Sequence, residues 1–295
     1  MQHVTATAIA ALALELIPPV LFGFAGERTT KAIQSLPRIL REIAPVICAI
    51  PYLLISFPEH IFRWRWLALY ALLPVTASWL SSQAAWSDPE QRGNWRDAII
   101  LIVLGLAVDL RWFEGAWPRG LAALNKVLLV DVGLYSFAGI RRLSGTGFTL
   151  CPRRDDWKIG LRELLFVAPF LIGLGLALGF LHPHTRQISP LTFVAGILGW
   201  VHVFLFIALP EELYFRAWVQ NLLERRFGRR AALVAASVIF GLSHFNKRST
   251  NFNWRYVLLA TIAGIFYGRA WREQRHVPAS TITHATVDTV WGIWF

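Results

Sequence analysis

Apolar residues in this chain run in long blocks separated by short polar stretches, at about 4–25, 40–57, 64–83, 97–113, 121–140, 160–181, 190–223, 231–245, 255–271 and 280–295. Most blocks have the length that crosses a bilayer core as a helix, roughly 17 to 25 residues. Strict alternation of apolar and polar positions, the mark of a barrel strand, is missing. Lipid leaves only helices and closed barrels as spanning structures, so the pattern predicts an all-α, polytopic transmembrane helical bundle. Asp109 and Arg111 cut the block at 97–113 short, which sets the expected count at eight to ten spans. The first block contains Glu15 and the pair Pro18-Pro19 and has no basic leader, so it is expected to be a span rather than a cleaved signal peptide.

The polar stretches carry a sidedness signal. Arg28, Lys31, Arg38 and Arg41 form one basic group, and Arg141, Arg142, Arg153, Arg154 and Lys158 form another. Short basic loops stay in the cytoplasm. Alternating outward from 141–158 puts Arg225, Arg226, Arg229, Arg230, Arg272 and Arg275 on that side as well, and sends Arg186, Lys247 and Arg248 to the other. Composition agrees with a lipid solvent: 55% of residues are apolar and 16% charged, against about a quarter charged in soluble domains. The net charge of +11 then reads as topology and attraction to anionic headgroups, with no nucleic-acid partner. Trp64, Trp66, Trp79, Trp86, Trp95 and Trp112 fit an interfacial aromatic belt. Cys48 and Cys151 are too isolated for a disulfide framework. The stretch 141–158, with Gly145, Gly147 and Pro152, separates N-terminal helices of unknown role (1–140) from a second domain (147–295).

Ionisable side chains at apolar depth are costly and usually functional or paired. Glu15, Asp131 and His202 stand alone in sequence and read as structural. The second half differs, because three of its blocks carry groups suited to catalysis. In Leu209-Pro210-Glu211-Glu212-Leu213-Tyr214-Phe215-Arg216, Glu212 and Arg216 share a helix face and form an ion pair. Glu211 is turned away from that pair, without a local cation. It reads either as a second structural carboxylate or as a desolvated base that takes a proton from water. Pro210 lacks an N–H and predicts a local kink. Phe240-Gly241-Leu242-Ser243-His244 brings one histidine, and His284-Ala285-Thr286-Val287-Asp288 places a second on one face with an aspartate. Such a set activates a water and holds a carbonyl, or it ligates a metal. Zincin, nucleophile-elbow and phosphate-loop patterns are absent, and Ser243 beside His244 is not expected to form a nucleophile–base pair, since adjacent helical residues do not face each other.

Glu211-Glu212-x-x-x-Arg216, Phe240-x-x-x-His244 and His284-x-x-x-Asp288, in this order, resemble the three motifs of the CAAX prenyl endopeptidase and bacteriocin-processing family. Asp155-Asp156-Trp157 ahead of the span at 160 fits the same pattern, and the resemblance covers about 147–295. It implies an intramembrane endopeptidase in the plasma (inner) membrane, with a cavity open to the cytoplasm, that cuts a membrane-associated protein or peptide. Carried over, Glu211 and His244 activate the water, His284 and Asp288 stabilise the oxyanion, and Glu212 with Arg216 braces the helix. An ionised aspartate only accepts hydrogen bonds, which leaves two arrangements: Asp288 carries a proton, or it orients His284. The family is described both as a metalloprotease and as metal-free. The expectation here is no cofactor, with Zn²⁺ held by His244, His284 and Glu211 as the alternative. Two further readings stay open: a catalytically inactive immunity or interaction protein, and a polar-cavity transporter.

Overall fold

The computed structural model describes residues 6–118, 120–185, 189–248 and 251–295. Arg186 and the first two residues of the 4–25 block lie outside the described residues. All regular structure among the described residues is helical, without strands, and each apolar block has become a helix. Four helices, Ala6–Ser35, Arg38–Ser56, Arg154–Ala177 and Pro190–Phe227, are long and apolar enough to cross a membrane. The chain is a helical membrane bundle. It forms two compact units, Met1–Ser144 and Gly145–Phe295.

The first unit holds α1 (Ala6–Ser35), α2 (Arg38–Ser56), α3 (Trp64–Ser87), α4 (Trp95–Asp109) and α5 (Ala123–Leu134), which continues as π-helix over Tyr135–Ile140. Its polar core is explicit. Trp117 Nε1 donates to the Tyr70 hydroxyl at 2.6 Å, and that hydroxyl donates to Asn125 Oδ1 at 3.1 Å. Arg141 is buried against Asp97 (3.1 Å) and Asp88 (2.6 Å). Asp97 also caps its own helix in a reciprocal pair with Asn94. Glu15 and Asp131 are both buried, so neither snorkels to a headgroup, whereas His202 in the second unit is exposed. Trp64 and Trp86 sit at the two ends of α3 and Trp95 opens α4, all exposed, as an interfacial belt requires. Trp79 is exposed well inside α3.

The second unit holds α6 (Arg154–Ala177), α7 (Pro190–Phe227), α8 (Arg229–Leu242), α9 (Trp254–Gln274) and α10 (Val277–Trp294). At 38 residues and 1.5 Å per residue, α7 is about 57 Å long, well beyond a bilayer core. Asp156 anchors the start of α6: one oxygen accepts from the Arg153 backbone N–H at 2.6 Å, and the other lies 2.7 Å from His276 Nδ1 ahead of α10. α6 and α10 cross at Gly160, where a Cβ would stand 2.8 Å from the Ala279 carbonyl, and Thr283 Oγ1 donates to the Gly160 carbonyl at 2.9 Å. Gly241 does the same for α8 and α9, since its Cβ would overlap Thr261 Oγ1 at 1.9 Å. Close backbone approach through small residues is how helices associate in lipid. Here the two crossings fix the registers of His284 and His244.

Candidate active site

Glu211 and Glu212 lie in a four-residue α-helical piece, Leu209–Glu212, with π-helix on both sides at Phe204–Ala208 and Leu213–Gln220. Pro210 accounts for the irregularity upstream. It offers no N–H, and its ring crowds the carbonyl one turn earlier, so the chain widens rather than breaks. Such π-segments recur at functional sites because they re-aim side chains within a continuous helix.

Buried Glu212 is the hub. Its Oε2 accepts from Arg216 Nε at 2.9 Å, and its Oε1 stands 2.9 Å from His284 Nδ1. Glu212 and Arg216 are fully buried and His284 is 3% exposed. The anticipated Glu212–Arg216 pair is present, and the same carboxylate reaches across to α10. Phe240 packs under the guanidinium at 5.0 Å, and Tyr267 stacks on His284 at 4.6 Å and 17°. With Nδ1–H given to Glu212, His284 Nε2 points at two more carboxylates: Asp288 Oδ2 at 3.5 Å and Glu211 Oε2 at 3.9 Å. An imidazole with carboxylates at both nitrogens is a donor on both sides.

His244 lies in the turn just after α8, with Nδ1 2.9 Å from the Phe240 carbonyl. That carbonyl can only accept, so Nδ1 holds the proton and Nε2 keeps its lone pair. Ser243 Oγ comes within 3.2 Å of His244 Nδ1, which was not expected of neighbouring helical residues. The helix has already given way to a turn there. Ser243 Oγ donates to the Phe240 carbonyl at 2.8 Å, and the ring nitrogen it faces is protonated. The pair therefore has no base for the hydroxyl.

Lys247 also belongs to the site, although no motif in the sequence includes it. Its ammonium lies 3.4 Å from His244 Nε2 and 3.7 Å from Glu211 Oε1, so Glu211 does have a cation, supplied from beyond α8. Lys247 lies in the turn after α8, three residues beyond His244. The structure thus brings Glu211, Glu212, Arg216, His244, His284 and Asp288 into one cluster. His244, His284 and Asp288 help wall a cavity of about 640 Å³ whose lining is mostly apolar and includes Leu164, Leu171 and Trp291.

Among the described residues, no three of His, Cys, Asp and Glu stand close enough together to hold a metal ion.

Residues 193–290 match the family model described as type II CAAX prenyl endopeptidase Rce1-like. The chain carries a domain of that family. The match runs from the first turns of α7 to the last turns of α10 and encloses the whole polar cluster. At family level the domain is a CAAX-type endopeptidase domain, set in an integral membrane protein. No curated protein and no solved structure matches the chain.

Proposed function

We propose that the second unit hydrolyses a peptide bond in a membrane-associated protein or peptide, with a water activated by Glu211 and His244 and without a metal. The observation that carries this reading is the division of labour between the two histidines. His244 presents a lone pair that shares the Lys247 ammonium with Glu211, and His284 presents an N–H held in place by buried Glu212. One is an acceptor for water and the other a donor for an oxyanion.

In this reading a water between Glu211 and His244 Nε2 gives its proton to the Glu211 carboxylate while its oxygen attacks the scissile carbonyl carbon. The carbonyl oxygen becomes the tetrahedral oxyanion and takes the hydrogen bond of His284 Nε2–H. Asp288 holds that N–H in the resting site and yields it to the oxyanion, while Glu212 keeps the ring oriented from behind. Glu211 then passes its proton to the leaving amine nitrogen as the C–N bond breaks. A positioned base contributes about 10²- to 10⁴-fold, and an oxyanion donor in a dry site about 10²- to 10³-fold. Lys247 holds Glu211 and His244 toward one point and supplies the positive charge that a metal supplies elsewhere. The apolar cavity beside His284 and Asp288 suits a substrate segment with aliphatic or lipid character.

The test is cleavage of an internally quenched, farnesylated CAAX peptide by the full-length protein in liposomes. Wild type should cut the probe, and Glu211→Ala and His244→Ala should not, although both remain folded. Wild-type protein that leaves the probe intact, or cleavage that survives both substitutions, contradicts the proposal.

A further inference from the structure

The first unit contains a second polar cavity, of about 520 Å³, unrelated to the cluster above. Its walls include Gln34 near the end of α1, Arg41 in the first turns of α2, Ser82 near the end of α3, Gln91, Arg141 and Arg142. Three arginines and no carboxylate line it. We propose that this cavity binds the phosphate of an anionic lipid headgroup.

The arginines have to be accounted for one by one, because helix C-termini also attract cations. Arg141 is already satisfied by Asp88 and Asp97 and donates to the Asp88 carbonyl at 2.8 Å. Gln34 Nε2 covers the carbonyl at the end of the π-segment, at 2.6 Å from Gly139 O. Neither therefore leaves charge unmet. Arg41 does: its Nη1 donates to Gln34 Oε1 at 2.6 Å, while its Nε is buried with no hydrogen-bond partner. A guanidinium has five N–H donors and no acceptor, so most of the fork is unspent. Ser82 Oγ, on the same wall, is buried without a partner as well. Arg142 is exposed at the cavity edge, and its guanidinium has no ion pair among the described residues. The unmet groups are two guanidinium forks and a hydroxyl, a donor set matched to phosphate oxygens.

Depth points to the source of that phosphate. Gln34 closes one membrane-length helix and Arg41 opens the next, so the cavity sits where spans meet headgroups. Basic pockets between transmembrane helices at that level bind anionic headgroups.

Thermal unfolding of the full-length protein in dodecyl maltoside tests this, with dioctanoyl phosphatidylglycerol, dioctanoyl phosphatidylcholine and inorganic phosphate as separate probes. A ligand at a hundred times its Kd stabilises by about 2.7 kcal/mol, a shift of several degrees. Phosphatidylglycerol should give that shift, and phosphatidylcholine should not. The exposed-site variant Arg142→Gln should weaken it at least several-fold, and Arg41→Gln should abolish it. Arg65→Gln, in the first turn of α3 and outside the cavity, should leave it unchanged. Equal loss in all three variants would reduce the effect to net charge and overturn the proposal, as would no shift with phosphatidylglycerol. The same shift with inorganic phosphate at equal concentration would assign the cavity to a soluble phosphate and overturn the lipid source.

Discussion

Glu211 and Glu212 are adjacent in sequence, yet their surroundings demand opposite responses to the same substitution. Glu212→Gln removes the charge from a carboxylate that is fully buried between Arg216 and His284. It leaves a buried guanidinium without its counter-ion, and the single amide oxygen can accept from Arg216 Nε or from His284 Nδ1 but cannot replace both carboxylate oxygens. Breaking a buried pair by removing one partner costs about 3–5 kcal/mol. For a domain of this size each kcal/mol is worth about 2–4 °C of unfolding temperature, so Glu212→Gln should unfold at least about 6 °C below wild type. Glu211→Gln acts on a side chain that is 21% exposed and pairs at 3.7 Å with a lysine that is 31% exposed. Such a pair contributes about 0–1 kcal/mol, and the shift should stay within about 4 °C. Activity reverses the order of interest. Glu211→Gln should lose at least about 100-fold in kcat, the share of a general base, while folding normally. Nano-scale fluorimetry in detergent gives the first quantity and the quenched-peptide assay gives the second. A Glu211→Gln protein with more than a tenth of wild-type kcat, or a Glu212→Gln protein as stable as wild type, would refute the assignment of base to one glutamate and scaffold to the other.

Lys247→Met should lower kcat about ten-fold or more with little change in KM, and Lys247→Arg should recover most of it; an unchanged kcat in Lys247→Met would make the lysine a bystander. Strong chelation should leave wild-type cleavage untouched, whereas loss on chelation with recovery on adding Zn²⁺ would overturn the metal-free reading. The 246–248 turn shares a face with the site through Lys247. In a background lacking Cys48 and Cys151, an impermeant thiol reagent should therefore reach Arg248→Cys from the side on which the peptide is cleaved, and labelling from the opposite side would contradict this. In the first unit, burial works to raise the Asp88 carboxyl, but backbone N–H groups of Arg92 and Gly93 and the Arg141 guanidinium together hold it below its ordinary value. A depressed carboxylate stabilises the fold above its unfolded pKa, near 3.9, and loses that contribution as pH falls through its folded value. Asp88→Asn should thus be less stable than wild type at pH 7, with the gap closing toward pH 3; a gap independent of pH would show that charge plays no part.

The helices were legible because lipid imposes one period and one length, and blocks of apolar residues state both. Their ends were less so. α6 begins at Arg154, six residues before its apolar block, because Asp156 satisfies the first turn and His276 at once, and a capping contact of that kind has no hydrophobic signature. Within the cluster, sequence spacing identified pairs on one helix, such as Glu212 with Arg216 and His284 with Asp288. It could not show that Glu212 also reaches His284, since that bond joins residues 72 apart and depends on the crossing at Gly160. Lys247 was read as a topological charge on the side opposite the cytoplasm, while the family resemblance implied a cytoplasmic opening. Its place against Glu211 and His244 sets those two expectations against each other. The counter-ion of Glu211 was hidden for the same reason: a turn after α8 brings it in, and turn residues at 245–248 carry no periodicity to follow. The cavity at Arg41 and Arg142 was visible in sequence only as basic loops, because it exists where the ends of four helices meet.

The proposed reaction is attack of a water, activated at Glu211 and His244, on a peptide bond at this cluster. Its most direct test is mass spectrometry of the cleaved quenched peptide after reaction in H₂¹⁸O. Wild-type protein should place one ¹⁸O in the new carboxyl group of the N-terminal fragment, and His244→Ala and Glu211→Ala should yield no labelled fragment. The same labelled fragment from both variants, or no fragment from wild type, would contradict the account.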